Sequence, residues 1–101
     1  MTATLALTSD ELAQVRAILA RHLPSGVRVS VFGSRAKGTA KHWSDLDLVL
    51  AGPAPLPLSL LAELAEAFDD SPLPWKVDLV DRASVSEGFA AIIDASAVLL
   101  D

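Results

Sequence analysis

Residues 27–34 read Val27-Arg28-Val29-Ser30-Val31-Phe32-Gly33-Ser34, and residues 45–50 read Asp45-Leu46-Asp47-Leu48-Val49-Leu50; the ten residues between them are polar or small apart from Trp43. Alternating apolar and polar side chains on both sides of a polar connection predict two half-buried strands joined by a short helix and loop. Asp45 and Asp47 stand two apart, so in a strand they share one face, roughly 6.6 Å from each other. Leu46, Leu48 and Leu50 point the other way and predict a core on the opposite face. The first strand runs directly into Gly33-Ser34, where the missing Cβ lets backbone approach a ligand.

Working outward, Thr8 and Glu11 have the spacing of a capping box, and Leu12, Val15, Ile18, Leu19 and Leu23 recur at helical intervals up to Pro24-Ser25-Gly26. Downstream, Ala51-Gly52-Pro53-Ala54-Pro55 is a loop, and Leu60, Leu61, Leu64 and Phe68 form the apolar stripe of a helix, with Glu63 and Glu66 on its wet face. Trp75 to Asp81 reads as a third strand. Ser84 and Glu87 suggest a second capping box, opening a helix carried by Phe89, Ile92 and Ile93. The predicted order is α-β-(short α)-β-α-β-α, an α/β or α+β sheet with helices packed on it.

The chain has 101 residues, 51% apolar and 21% charged, which predicts one small packed domain spanning 1–101. It has no cysteine, which excludes a disulfide scaffold and a thiolate metal site and suits a reducing compartment. No basic, apolar leader is visible at the N-terminus. The most apolar stretch, Leu46–Leu64, is broken by prolines and carries Asp47 and Glu63, so it cannot act as an uninterrupted membrane span. A soluble, cytoplasmic protein is expected. The net charge of −5 argues against direct nucleic-acid binding. The charge is split along the chain. Arg16, Arg21, Arg28, Arg35, Lys37 and Lys41 fall between Glu11 and Asp45, where no acid occurs, and the acids concentrate from Asp45 onward. Such asymmetry hints at a polyanion-handling region beside an acidic one.

The two carboxylates on one face repel, and partial burial would raise their pKa values unless a cation lies between them. Hard divalent ions such as Mg²⁺ take oxygen ligands and suit this arrangement. Asp78, in the third strand, can join Asp45 and Asp47 if the strands are neighbours. Three carboxylates on adjacent strands can hold two metal ions of the kind used in in-line phosphoryl transfer. Gly33-Ser34 followed by a helix start makes an anion site, to which Arg35 and Lys37 add positive charge. It is not a Walker A loop: Gly33 and Gly38 have the right separation, but Thr39 stands where lysine is required.

Gly33-Ser34, ten intervening residues and then Asp45-x-Asp47 resembles the signature of the nucleotidyltransferases of the DNA polymerase β superfamily, and Asp78 matches their third carboxylate. The run Val31-Phe32-Gly33-Ser34-Arg35-Ala36-Lys37-Gly38 is similar to the family's local pattern. In size the chain resembles the minimal nucleotidyltransferases, which are commonly paired with HEPN-type proteins. The resemblance implies the family's fold, a small mixed sheet with helices on it. It also implies two-Mg²⁺ transfer of a nucleoside monophosphate from ATP or another nucleoside triphosphate to a hydroxyl. Gly33 and Ser34 would then hold the β/γ-phosphates, Asp45 and Asp47 both metals, and Asp78 one metal and the acceptor proton. A phosphate contact by Arg35 is inferred from its charge and proximity.

Substrate-binding domains of larger members have no counterpart here, so the acceptor is expected to bring its own surface. Minimal members are known as antitoxins that adenylylate a tyrosine of a HEPN ribonuclease toxin. This chain has no tyrosine, so any tyrosine acceptor belongs to another protein. A HEPN-type toxin partner is therefore expected. The alternatives are an antitoxin that acts by contact alone, or an enzyme for a small hydroxylated molecule whose site a second subunit of a homo-oligomer completes. His22 is explained by the dipole at its helix end. His42 and Trp43 flank the Asp45 strand; loop packing is the first reading of Trp43 and base stacking the second. Trp75 reads as core or partner-facing.

Overall fold

The structure is a computed structural model that describes residues 6–41 and 43–100; His42 lies outside the described residues. Its elements are α1 (Ser9–His22), β1 (Arg28–Phe32), α2 (Ser34–Lys37), β2 (Leu46–Ala51), α3 (Leu58–Asp69), β3 (Val77–Asp81), a 3₁₀ turn (Arg82–Ser84), α4 (Glu87–Ser96) and β4 (Val98–Leu99). The strands form one mixed sheet in the order β3-β2-β1-β4. β2 and β3 are parallel, with α3 as the crossover between them. β1 is antiparallel to both β2 and β4.

Alternation along the strands divides the apolar residues between two faces. Val29, Val31, Leu46, Leu48, Leu50 and Val77 meet Val15 and Leu19 of α1 and Leu64 and Phe68 of α3 in the main core. Leu46, Leu48 and Leu50 are wholly buried, as their spacing predicts. Phe32 and Val49 point to the opposite face, where Ile93 of α4 closes a smaller core with Val80 and Val85 beside it. The capping box opens α1 as expected: the Glu11 N–H donates to Thr8 Oγ1 and the Thr8 N–H donates to the Glu11 carboxylate. Trp75 is buried in the main core.

Several local readings are corrected. β2 begins at Leu46 and β3 at Val77, so Asp45, Trp75 and Lys76 lie just ahead of their strands. The α4 cap is Ser86, whose Oγ accepts from the Phe89 N–H, and not Ser84. Ser84 is instead in the 3₁₀ turn and donates its hydroxyl to Asp81. Ile93 faces inward, whereas Ile92 is exposed, because the helix has only one side against the sheet. β4 leaves no trace in the sequence pattern: two residues are too few for a periodic signal, and only pairing with β1 makes them a strand.

Asp81 ties the end of β3 to the segment entering α3. It is buried, and its carboxylate accepts from the Leu56 N–H, the Ser84 hydroxyl and the Ala83 N–H at 2.9, 2.9 and 3.2 Å. Burial alone would push this carboxyl up, but the three donors outweigh it and hold the pKa below the ordinary value. A lowered folded-state pKa gives stability that is present above about pH 4 and lost as pH falls through the folded value. Asp81→Ala is expected to cost about 2–3 kcal/mol in urea unfolding at pH 7, since it strands three donors. The difference from wild type should narrow as the pH drops below about 4.

Candidate active site

The sheet register brings two of the sequence-predicted residues, Asp47 and Asp78, side by side. Phe32, the last residue of β1, pairs with Asp47, and Asp47 pairs with Asp78 across the parallel β2–β3 ladder. Asp47 and Asp78 therefore stand side by side on the face opposite the main core. α4 covers the far part of that face through Ile93, with Phe89 packed edge-on against Phe32 at 6.2 Å between ring centroids. The Asp47–Asp78 end is left open, with Asp47 and Asp78 part-exposed and Asp45 exposed.

The Asp47 carboxyl is pushed above its ordinary pKa, by burial first and then by the charges of Asp78 and Asp45. Asp47 thus feels the charges of both neighbouring carboxylates. Lys76 lies 3.7 Å from Asp78, but both side chains are exposed and such a pair is weak. Among the described residues, no three carboxylates or imidazoles are grouped so as to hold a metal ion by themselves, unlike the three-carboxylate arrangement expected from the sequence. An all-oxygen, electrostatically frustrated donor set still fits Mg²⁺. That ion keeps several waters and is commonly held by one or two carboxylates together with substrate phosphates.

Gly33 links the phosphate-loop candidate to this cluster. Its φ of 74° and ψ of −151° lie in a region open essentially to glycine alone. A Cβ there would sit 2.6 Å from Asp47 Oδ2. The Gly33 N–H donates to Ser96 Oγ at 3.2 Å, anchoring the turn to the end of α4. Ser96 carries no sequence signal, because the contact spans 63 positions and depends wholly on how α4 packs. Ser34 follows as the first residue of α2, part-buried, and Lys37 at the other end of α2 is exposed. Gly38 ends the helix in the left-handed conformation with φ 79°.

Arg35 corrects the sequence reading. It is buried at 5% exposure and turned away from solvent. Its Nη1 donates to the Ala6 carbonyl, while Nε and Nη2 both donate to the Ser44 carbonyl and Nη2 also reaches Lys41 O at 3.4 Å. The guanidinium lies 4.6 Å from the centre of the Trp75 ring. With its donors committed to carbonyls it is not placed to meet a phosphate. It is the clamp of the 35–44 loop, holding the residue immediately before Asp45. Only a forked, planar cation makes this set of contacts.

A nucleotidyltransferase domain model matches residues 12–99. The chain belongs to the nucleotidyltransferase domain family. This nucleotidyltransferase is 48% identical over 91 residues to the Haemophilus influenzae protein described as "Probable protein adenylyltransferase MntA", an alignment covering 90% of this chain and 79% of the relative. Its fold matches a crystal structure of a toxin–antitoxin with AMP-PNP at a TM-score of 0.75 and 26% identity, covering 89% of this chain and 72% of the other. It also matches a structure of the tri-AMPylated Shewanella oneidensis HEPN toxin in complex with an MNT antitoxin. There the TM-score is 0.61, the identity 22% and the coverage 89% and 68%, a likeness of fold. The mixed sheet with helices on both faces is thus the minimal nucleotidyltransferase fold, and the chain is an enzyme of that class. No helix among the described residues is long and apolar enough to cross a membrane.

Proposed function

We propose that this nucleotidyltransferase transfers AMP from ATP to a hydroxyl of a HEPN-type toxin and serves as that toxin's antitoxin, with residues 1–101 acting as one catalytic domain. The observation that supports this reading most is that Asp47 stands in register with Asp78 and against Gly33, with the charges of Asp78 and Asp45 acting on it. The 48% identity to a protein adenylyltransferase supports AMP and a protein acceptor, and the toxin–antitoxin structures of the same fold support the partner class. The chain's lack of tyrosine requires any tyrosine acceptor to come from the partner.

In this reading Gly33 and Ser34 hold the β/γ-phosphates, with exposed Lys37 nearby to attract them. Asp45 and Asp47 hold Mg²⁺, and Asp78 takes part in holding one ion. Mg²⁺, when bound, offsets the charge that builds on the phosphoryl and leaving oxygens. The acceptor oxygen forms a bond to the α-phosphorus as the bond from that phosphorus to the β-phosphate oxygen breaks. Pyrophosphate leaves with the electron pair, and Asp78 draws off the acceptor proton. Asp47 contributes most when ionised, and its raised pKa predicts that transfer falls on acidification at a higher pH than an ordinary aspartate would dictate.

The test is incubation with α-labelled ATP, Mg²⁺ and the product of the neighbouring gene. Label is expected on the partner with wild type and not with Asp47→Asn. An unlabelled partner that a triple Asp45, Asp47, Asp78→Ala variant still neutralises would instead establish an antitoxin acting by contact.

A further inference from the structure

Trp43 is the least explained large side chain in the described structure. Loop packing would bury it, yet it is 75% exposed. It forms one wall of a surface groove of about 690 Å³, shared with Thr8, Arg35, Lys41, Pro74 and Trp75. That is ample for a nucleoside. The groove's lining includes none of Gly33, Ser34, Asp45, Asp47 and Asp78, but it is tied to Asp45 along the chain. Arg35 donates to the carbonyl of Ser44, and Ser44 is followed directly by Asp45. Only Ser44 separates Trp43 from Asp45 in sequence, so their backbones lie at most about 7 Å apart. Lys41 Nζ lies over the Trp43 ring, 6.0 Å from its centre, which puts a cation beside one face of the aromatic surface.

We infer that Trp43 is the stacking surface for the nucleobase of the nucleoside triphosphate, with Lys41 beside it on the phosphate side. The inference rests on the nucleotidyltransferase reading above and adds to it where the base lies. A nucleotide fits this groove better than an apolar peptide for two reasons. The exposed Trp43 ring and the neighbouring Lys41 complement a flat ring carrying an anionic chain. The stretch from Arg16 to Lys41 that supplies this cation contains no acid, although Glu11 is among the groove's lining residues. Stacking on an aromatic side chain is tolerant of the base, so Trp43 supplies affinity while leaving base choice to other contacts.

The experiment compares binding of Mg²⁺-ATP and Mg²⁺-tripolyphosphate by calorimetry to wild type, Trp43→Phe and Trp43→Ala. Trp43 is exposed, so both variants should keep the wild-type melting temperature. Trp43→Ala is expected to weaken ATP binding about 5- to 150-fold, from the usual worth of a base stack, and to leave tripolyphosphate within about twofold. Trp43→Phe should recover most of the loss. Equal ATP binding by wild type and Trp43→Ala would overturn the inference, as would parallel loss of ATP and tripolyphosphate. Loss of HEPN-partner binding with ATP binding intact would overturn it too, and make the groove a protein-docking surface. Failure of wild type to bind ATP at all would bring down the nucleotide reading itself.

Discussion

Asp47→Asn is expected to abolish nucleotide transfer while leaving the fold at least as stable as wild type. The two effects share one cause. Asp47 stands in register with Asp78, behind exposed Asp45, and its carboxyl is held above the usual range by burial and by both neighbours' charges. A raised folded-state pKa means that ionising Asp47 costs the native state stability above that pKa, and the cost disappears as pH falls below it. Asparagine removes the charge at nearly constant shape. The melting temperature of the variant should therefore equal or exceed that of wild type at pH 7, with the gap closing in acid. With Asp47 holding Mg²⁺ as proposed, its loss removes several kcal/mol of transition-state stabilisation, so the rate should fall on the order of 10³-fold. Label transfer and thermal unfolding, measured on the same preparations, check both halves. A variant that unfolds early would show that Asp47 serves the fold instead.

The second large effect is expected from Gly33→Ala. The backbone there has φ 74° and ψ −151°, which costs a residue with a side chain about 1–3 kcal/mol. The added methyl would also lie 2.6 Å from Asp47 Oδ2, so the carboxylate must move. Displacing a reacting group by about 1 Å costs about 10²-fold in rate, so activity should fall by that order while stability drops by about 1–3 kcal/mol. The two contributions separate in a double-mutant cycle. With Asp47→Ala in place the carboxylate is gone, and Gly33→Ala should retain only its backbone cost. A cycle showing no coupling between the positions would refute the contact.

Lone residues are read differently from patterns. The strands β1 and β2, the helices α1 and α3 and the wholly buried Leu46, Leu48 and Leu50 follow from periodicity and turn residues, which act over a few positions and leave a local trace. So does the placing of Asp47 and Asp78 on the polar side of their strands. The role of Arg35 leaves no such trace. A cation beside Gly33-Ser34 reads as a phosphate ligand until the loop folds over it and the carbonyls of Ala6 and Ser44 claim its donors. Trp43 reads as loop packing until the fold leaves it outside.

By itself, then, the sequence determines the elements, the inward face of each, and the compound pattern of Gly33-Ser34, Asp45, Asp47 and Asp78. Tertiary structure alone decides that β3 lies parallel beside β2, so that Asp78 falls in register with Asp47. It decides that β4 adds an edge to β1, that Ser96 reaches Gly33, and that Arg35 is a clamp within the loop. The division has a physical basis. Side-chain periodicity is set by backbone geometry within a few residues, whereas register, edge pairing and the partners of a long cation are set by which distant surfaces pack together.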